Sequence, residues 1–239
     1  MAGHAVAGSR TRTRRFLVRE GAAAPTPAVA LGRITGVSGL LFAGLFVASV
    51  ALVHRTPAPG VPDSVFTQFY TQGDRGLLVA VGVYLVPFAG IAFLWHLITF
   101  RALLRARGVT GADIPRGLQL ASGVGFVLLM FAGSSAAGTA SLLVQLTTAE
   151  LPPVSVIRTL LVLGYGLVFI YGVRMAGMFM ITTTTLGRSA GLVPKWLAVL
   201  GYVVAGLLLV SATFHAALVL IFPGWVVLFS IAVLLAAQE

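Results

Sequence analysis

The sequence predicts an all-α, polytopic membrane protein whose transmembrane domain is a bundle of six helices. Two properties of the composition support this fold class: 58% of the 239 residues are hydrophobic and only 9% are charged. A third is the order of the chain, in which long uncharged segments alternate with short basic ones. An average soluble domain carries about 25% charged residues, so this chain has too few charges to cover a water-soluble globule.

The first 33 residues are predicted to form a disordered, basic tail on the cytoplasmic side. They contain six arginines and one acidic residue, Glu20, and residues 22–27 have the small-residue and proline composition of a linker. Such a segment cannot bury enough apolar surface to form a core. The transmembrane domain is therefore expected to cover residues 34–237.

Six predicted spans lie within this domain. The first four apolar segments are each long enough to cross a bilayer at about 1.5 Å per residue, and Pro87 predicts a kink in the second. Residues 196–237 carry no charge and would be about 63 Å long as one helix, which is enough for two spans. The best break is Pro223-Gly224, which places the turn between His215 and Trp225. The predicted spans are 34–53, 77–100, 118–146, 156–183, 196–215 and 220–237.

The distribution of basic residues predicts that both termini lie in the cytoplasm of a cell whose plasma membrane the chain crosses. With this orientation the inner segments carry twelve Arg or Lys, and the outer ones carry three, Arg55, Arg75 and Arg158. Cytoplasmic loops are enriched in such residues. The expected counter-charges are anionic lipid headgroups on the cytoplasmic side rather than nucleic acid.

The first outer loop is predicted to contain a short amphipathic helix on the membrane surface. Asp63 or Ser64 can cap its N-terminus, and four apolar residues follow at helical spacing, Val65, Phe66, Phe69 and Tyr70. The alternative is an ordinary loop held by aromatic anchors.

A stretch of small residues, 133–141, predicts close helix packing in the third span. Glycines and alanines let helix backbones approach, and hydroxyl groups can bond across the contact. The alternative is a polar lining for a cavity or pore, with Ser134 and Ser135 as candidate ligand-binding residues.

Arg174 is the charged residue farthest inside a predicted span. It lies about 24 Å from Arg158 and about 21 Å from Arg188 along a helix, so it is either in mid-membrane or at the inner interface. No Asp or Glu lies in a predicted span, which leaves backbone carbonyls, hydroxyls, water, a loop carboxylate or a bound anion as its partners. With Tyr171 on the same helix face, Arg174 is a candidate ligand-binding residue.

Cofactor and catalytic motifs are absent from the sequence. It has no cysteine, phosphate-binding loop or nucleophile elbow, which favours a non-enzymatic protein, leaves a membrane enzyme open and predicts no cofactor. His54 and His215 both fall near the outer face and are the alternative candidates for a haem or metal site.

Two segments resemble the DUF4386-like bacterial membrane proteins, which are uncharacterised and have six helices. They are residues 188–202, with a basic loop before Pro194-Lys195-Trp196-Leu197, and residues 84–96, which look like actinobacterial proteins of this type. The resemblance implies a fold and carries no activity.

Three functions are compatible with these features. The first is a non-enzymatic accessory subunit that binds lipid, a membrane protein partner or a second copy of itself. The second is a small transporter or channel for an anionic or amphiphilic solute that uses Arg174. The third is a haem- or metal-binding membrane protein that uses His54 and His215.

Overall fold

The structure is a computed structural model that describes residues 26–72, 76–148, 150–211 and 216–237. These residues form nine α-helices and two π-helical segments, and no strand occurs among them, which confirms the all-α class. The α-helices are α1 (Pro27–Val53), α2 (Asp63–Gln72), α3 (Gly76–Ala80), α4 (Val86–Ala106), α5 (Asp113–Leu146), α6 (Val154–Tyr165), α7 (Val173–Ser189), α8 (Lys195–Val210) and α9 (Ala216–Ala236).

The π-helical segments join shorter α-helices into long ones. The first, Val81–Leu85, connects α3 to α4, and the second, Gly166–Gly172, connects α6 to α7. Within the described residues, five helices are then long and apolar enough to cross a membrane, and α8 is a shorter apolar helix of 16 residues. The chain is thus a multi-pass membrane protein. The five long helices are Pro27–Val53, Leu78–Ala106, Asp113–Leu146, Val154–Ser189 and Leu218–Ala236.

Helix α1 begins at Pro27, so the predicted tail of 33 residues is too long. Thr26 precedes the helix and its hydroxyl accepts a hydrogen bond from the Val29 N–H at 3.4 Å, while Pro27 occupies a first-turn position where its missing N–H costs nothing. Packing extends the helix past Arg33: a Cβ atom on Gly32 would lie 2.6 Å from that of Ala237, at the end of α9. The rest of the predicted tail lies outside the described residues.

The predicted break at Pro223-Gly224 is wrong. Pro223 lies inside α9, which begins at Ala216, and α8 ends at Val210. A proline within a membrane helix is tolerated because neighbouring helices and local adjustments compensate for the lost backbone bond. The chain leaves the helical conformation at Ser211, whose ψ is 135°; the connection therefore lies earlier than expected.

A cluster of aromatic rings fills the middle of the bundle. Each of its rings has a neighbour with centroids between 4.8 and 6.1 Å away, the range in which aromatic pairs attract each other. We call this group the phenylalanine cluster; its members are Phe42, Phe46, Phe93, Phe126, Phe179 and Phe222. They come from α1, α4, α5, α7 and α9 and hold these helices together.

Helix α2 is present where the sequence predicts a short amphipathic helix, but its aromatic face packs on the bundle. Phe66 and Tyr70 are 1% and 2% exposed and contact a second hydrophobic cluster that includes Ile157 and Leu161 of α6. Burial raises the pKa of the Tyr70 phenol. We call the side of the bundle that carries this helix the α2 end.

Candidate functional site

A cavity of about 480 Å³ lies at the α2 end of the bundle. Its walls come from the second half of α1, the first π-helical segment, the middle of α5, and α6 with the second π-helical segment. Sites for small molecules have volumes of about 300–1,000 Å³, so the cavity is large enough for a ligand. Phe46 belongs to both the cavity wall and the phenylalanine cluster. The cluster therefore borders the end of the cavity that points to the middle of the bundle.

The described residues of the cavity wall are predominantly apolar and carry no Asp, Glu, Lys or Arg. Among the hydroxyl groups, Ser49 donates to the Leu45 carbonyl at 2.8 Å and Thr56 to the Val53 carbonyl at 2.7 Å. These hydroxyl groups form hydrogen bonds to backbone carbonyls of α1 and at its end. Much of the cavity wall therefore presents methyl groups and rings. A predominantly apolar wall of this kind suits a hydrocarbon chain.

Polar groups are concentrated where the cavity meets the loop after α1. His54 is exposed and directly follows α1, and Thr56 lies two residues further on. The Tyr165 side chain from α6 interacts with that of Thr56. The cavity therefore has a hydrocarbon-like interior and a hydroxyl- and imidazole-bearing end.

Both π-helical segments border the cavity. Val81 and Gly82 of the first and Val168 and Phe169 of the second line it. The wider turn is visible in the hydrogen bonds that close each segment, from the N–H of Val86 to the carbonyl of Val81 and from Val173 to Val168. Such turns occur frequently at functional sites.

The first π-helical segment lies just before Pro87, where the sequence predicts a kink. A proline cannot donate to the carbonyl one turn earlier, and its ring collides with that carbonyl in a regular α-helix. Since Val81–Leu85 ends two residues before the proline, the wider turn accommodates the ring. It also places Gly82 opposite α5, where a Cβ atom would lie 3.7 Å from the Ser134 hydroxyl.

The stretch of small residues in α5 serves both of the roles that the sequence left open. Gly133 packs against α6, because its added Cβ would lie 2.8 Å from the Gly164 carbonyl oxygen. Gly138 instead faces open space, since a Cβ there would have no neighbour within 4 Å, and it lines the cavity together with Ser134 and Ala137. Close helix contact thus forms one edge of the cavity wall.

The structure separates the candidate ligand-binding residues. Ser134 lines the cavity, whereas Ser135 is exposed and does not. Arg174 is half-buried and donates from Nη1 to the Ile170 carbonyl at 2.8 Å, and Tyr171 is 58% exposed; neither lines the cavity. A backbone carbonyl is among the partners expected for Arg174, but a ligand role for this arginine stays a prediction.

The histidine pair proposed for haem or metal cannot be placed, since His215 lies outside the described residues. Among the described residues, no group of three or more His, Cys, Asp and Glu could hold a metal ion. Of the two histidines that the structure describes, His96 is fully buried, and its Nδ1 lies 2.8 Å from the Thr35 carbonyl oxygen. A carbonyl only accepts, so Nδ1 carries the proton.

Sequence reasoning missed Tyr165 and Thr56, which define the polar end of the cavity. Neither lies in a recognisable motif, and they meet only because the loop after α1 and helix α6 border the same space. The available signal was Gly164 beside Tyr165, because a glycine in a membrane helix indicates close backbone approach.

In comparisons with known proteins, no family model, curated protein or solved structure matches this chain. The resemblance to DUF4386-like proteins stays a prediction.

Proposed function

We propose that this protein crosses the membrane six times with both termini in the cytoplasm and binds the hydrocarbon chain of a lipid-like amphiphile without acting as an enzyme. The observation that carries the proposal is the cavity: its wall is predominantly apolar and uncharged in the described residues, and His54, Thr56 and Tyr165 lie together where it meets the loop after α1. An amphiphile has the same division between chain and headgroup.

The sixth span in this proposal is α8. Its 16 residues extend about 24 Å as a helix, which is shorter than the hydrocarbon core of about 30 Å. A bilayer thins locally around a short span at modest cost. The twelve inner and three outer basic residues support the orientation.

Access to the cavity is consistent with an amphiphile that enters from the outer leaflet or from the outer solution. His54 and Ala58 line the cavity and are exposed at the loop, and Val162 lines it and is 43% exposed on the side of the bundle. A chain that arrives from water gains about 0.8 kcal/mol per buried CH₂ group. A chain that comes from the bilayer gains little by this route, because lipid tails are as apolar as the wall.

A photoreactive long-chain alcohol tests this function. The alcohol carries a diazirine on its hydrocarbon chain and is added to the purified protein in detergent micelles; cross-linked peptides are identified by mass spectrometry. We expect labels on the cavity-facing parts of α5 and α6. Gly138→Leu should lower labelling severalfold, since its side chain would fill the cavity.

The matched control is Gly44→Leu. Gly44 also has no neighbour within 4 Å of an added Cβ, but it is exposed on α1 and does not line the cavity. Labelling that is equal in the parent and both variants, or that is spread evenly over the lipid-facing surface, would contradict the proposal.

Transport of the amphiphile is the second candidate function. Two features favour it. The two π-helical segments lie on different walls of the cavity, and the phenylalanine cluster closes the end that points to the middle of the bundle. A transporter needs such a closure to open. Flux of a phosphate monoester of the long-chain alcohol across the membrane of liposomes that contain the protein, above that of protein-free liposomes, would distinguish transport from binding alone.

A further inference from the structure

A groove on the surface lies beside the polar end of the cavity. It lies between the loop after α1 and one side of α2, and its described lining includes Arg55, Val65, Gln68 and Phe69. Thr56 lines both the groove and the cavity. The two spaces are therefore adjacent at Thr56.

The groove offers a positive charge that the described residues do not neutralise. The ion pairs among them join Arg116 to Asp113 and Arg158 to Asp63, and Arg55 takes part in neither. Asp63, the acid of α2, is held by Arg158 at 2.9 Å and is not among the groove residues. The exposed Arg55 guanidinium thus retains its donors for an anion.

The neighbouring polar groups suit an anionic headgroup. Gln68 and Gln72 contribute carboxamide donors from successive turns of α2, and a guanidinium binds carboxylate or phosphate oxygens through parallel N–H bonds. No Asp or Glu is found among the described groove residues. The local charge therefore favours phosphate or carboxylate over a cationic headgroup.

We propose that the ligand is an anionic amphiphile whose chain fills the cavity and whose phosphate or carboxylate lies in the groove on Arg55. From the inside outward the site presents an apolar wall, the hydroxyls of Tyr165 and Thr56, and then the guanidinium. A hydrocarbon chain, an ester or hydroxyl region and a charged headgroup follow each other in the same order. This inference rests on the proposed function, because without a chain in the cavity the groove is only a surface contact for anions.

Headgroup charge also supplies the selectivity that the cavity lacks. Transfer of a chain from bilayer to cavity is nearly neutral, so the interaction at Arg55 decides which lipid is retained. An exposed ion pair contributes modestly and charge-assisted hydrogen bonds add to it, so we expect about two- to tenfold tighter binding of a charged than of an uncharged amphiphile.

The test uses the photoreactive alcohol and its phosphate monoester, which share one chain. We expect the phosphate ester to reach half-maximal labelling of the cavity at about a two- to tenfold lower concentration. Arg55→Gln should abolish this difference and leave labelling by the alcohol unchanged. The matched control is Arg105→Gln, which removes an exposed arginine at the end of α4 that lies away from the α2 end. This variant should keep the preference for the phosphate ester.

Each other outcome has a defined meaning. If the alcohol labels the cavity but Arg55→Gln keeps the preference for the phosphate ester, the headgroup inference is wrong and the proposed function stands. Complete displacement of the phosphate ester by millimolar inorganic phosphate would show a simple anion site, which also overturns the inference. A parent protein that labels with neither probe in the cavity overturns the proposed function itself.

Discussion

The backbones of Gly133 and Gly164 meet so closely that a Cβ atom at position 164 would lie 2.4 Å from the Gly133 carbonyl oxygen. The obstacle is backbone rather than a flexible side chain, so it cannot rotate away. Gly164→Ala should therefore force α5 and α6 apart and destabilise the bundle by about 1–3 kcal/mol, as overpacked cores do.

Thermal unfolding in detergent measures this effect. The control is Gly138→Ala on the same pair of facing helices, where an added Cβ has no neighbour within 4 Å; its melting temperature should stay near that of the parent. Equal melting temperatures for the two alanine variants would mean that α5 and α6 do not touch at the glycines.

The helices were predictable because long uncharged segments have few alternatives in a membrane. Their ends were not, because local rules compete with packing. Arg33 interrupts the first apolar segment, yet the helix starts before it, where Gly32 packs against Ala237. Pro223 has the local chemistry of a break, yet it continues α9.

The site was less predictable than the fold. The small residues in α5 predict close packing of this helix against a neighbour. The rotation of the helix about its axis, which the sequence does not give, determines that Ser134 faces the cavity and Ser135 does not. Phe46, Val81 and Tyr165 are remote in sequence and meet only through tertiary packing. Pattern reasoning selects unusual residues such as Arg174, whereas a hydrocarbon-like cavity is built from ordinary ones.

Arg158 fastens α2 to the bundle through three contacts, and its removal should release this helix. It donates to the Val61 carbonyl at 2.8 Å and to the Asp63 carboxylate at 2.9 Å, and its guanidinium lies 5.1 Å from the centre of the Phe66 ring. Arg158→Gln loses all three, so hydrogen exchange of the α2 amides should become faster.

Asp63→Asn provides the comparison, because it removes only the ion pair. The Asp63 side chain is 70% exposed, and exposed pairs contribute about 0–1 kcal/mol, so the acceleration should be small and should shrink further at high salt. A larger effect for Asp63→Asn than for Arg158→Gln would assign the attachment of α2 to charge alone.

Single cysteines test the orientation, since the chain has no cysteine of its own. Thr71 and Glu150 lie at the α2 end, Thr110 and Ser189 lie at the opposite end, and all four are exposed. In intact cells, an impermeant thiol reagent should label cysteines at the first two positions only. Permeabilised cells should label all four, which controls for reactivity, and labelling of only the second pair in intact cells would reverse the proposed topology.

The last prediction concerns Arg174, the alternative ligand-binding residue. Replacing it tests whether the ligand binds there or in the cavity. Its guanidinium bonds to the Ile170 carbonyl of its own helix and does not line the cavity. We therefore expect Arg174→Leu to fold, insert and label with the photoreactive alcohol as the parent does. A leucine also removes the cost of placing a charge in the bilayer, about 2.5–3.5 kcal/mol on insertion scales for a central position, so its melting temperature should be equal or higher.

The companion variant is Arg174→Lys. It keeps a positive charge and hydrogen-bond donors but replaces the planar guanidinium with an ammonium group. If Arg174 only satisfies its own helix, leucine and lysine variants should bind the alcohol and its phosphate ester alike. A loss of phosphate-ester labelling with leucine and partial recovery with lysine would instead place the anionic headgroup at Arg174. The same experiment at Arg55 then shows which of the two arginines binds the headgroup. A single headgroup cannot contact both, because Arg55 lies at the α2 end whereas Arg174 lies about 24 Å along the helix from Arg158, which is also at the α2 end.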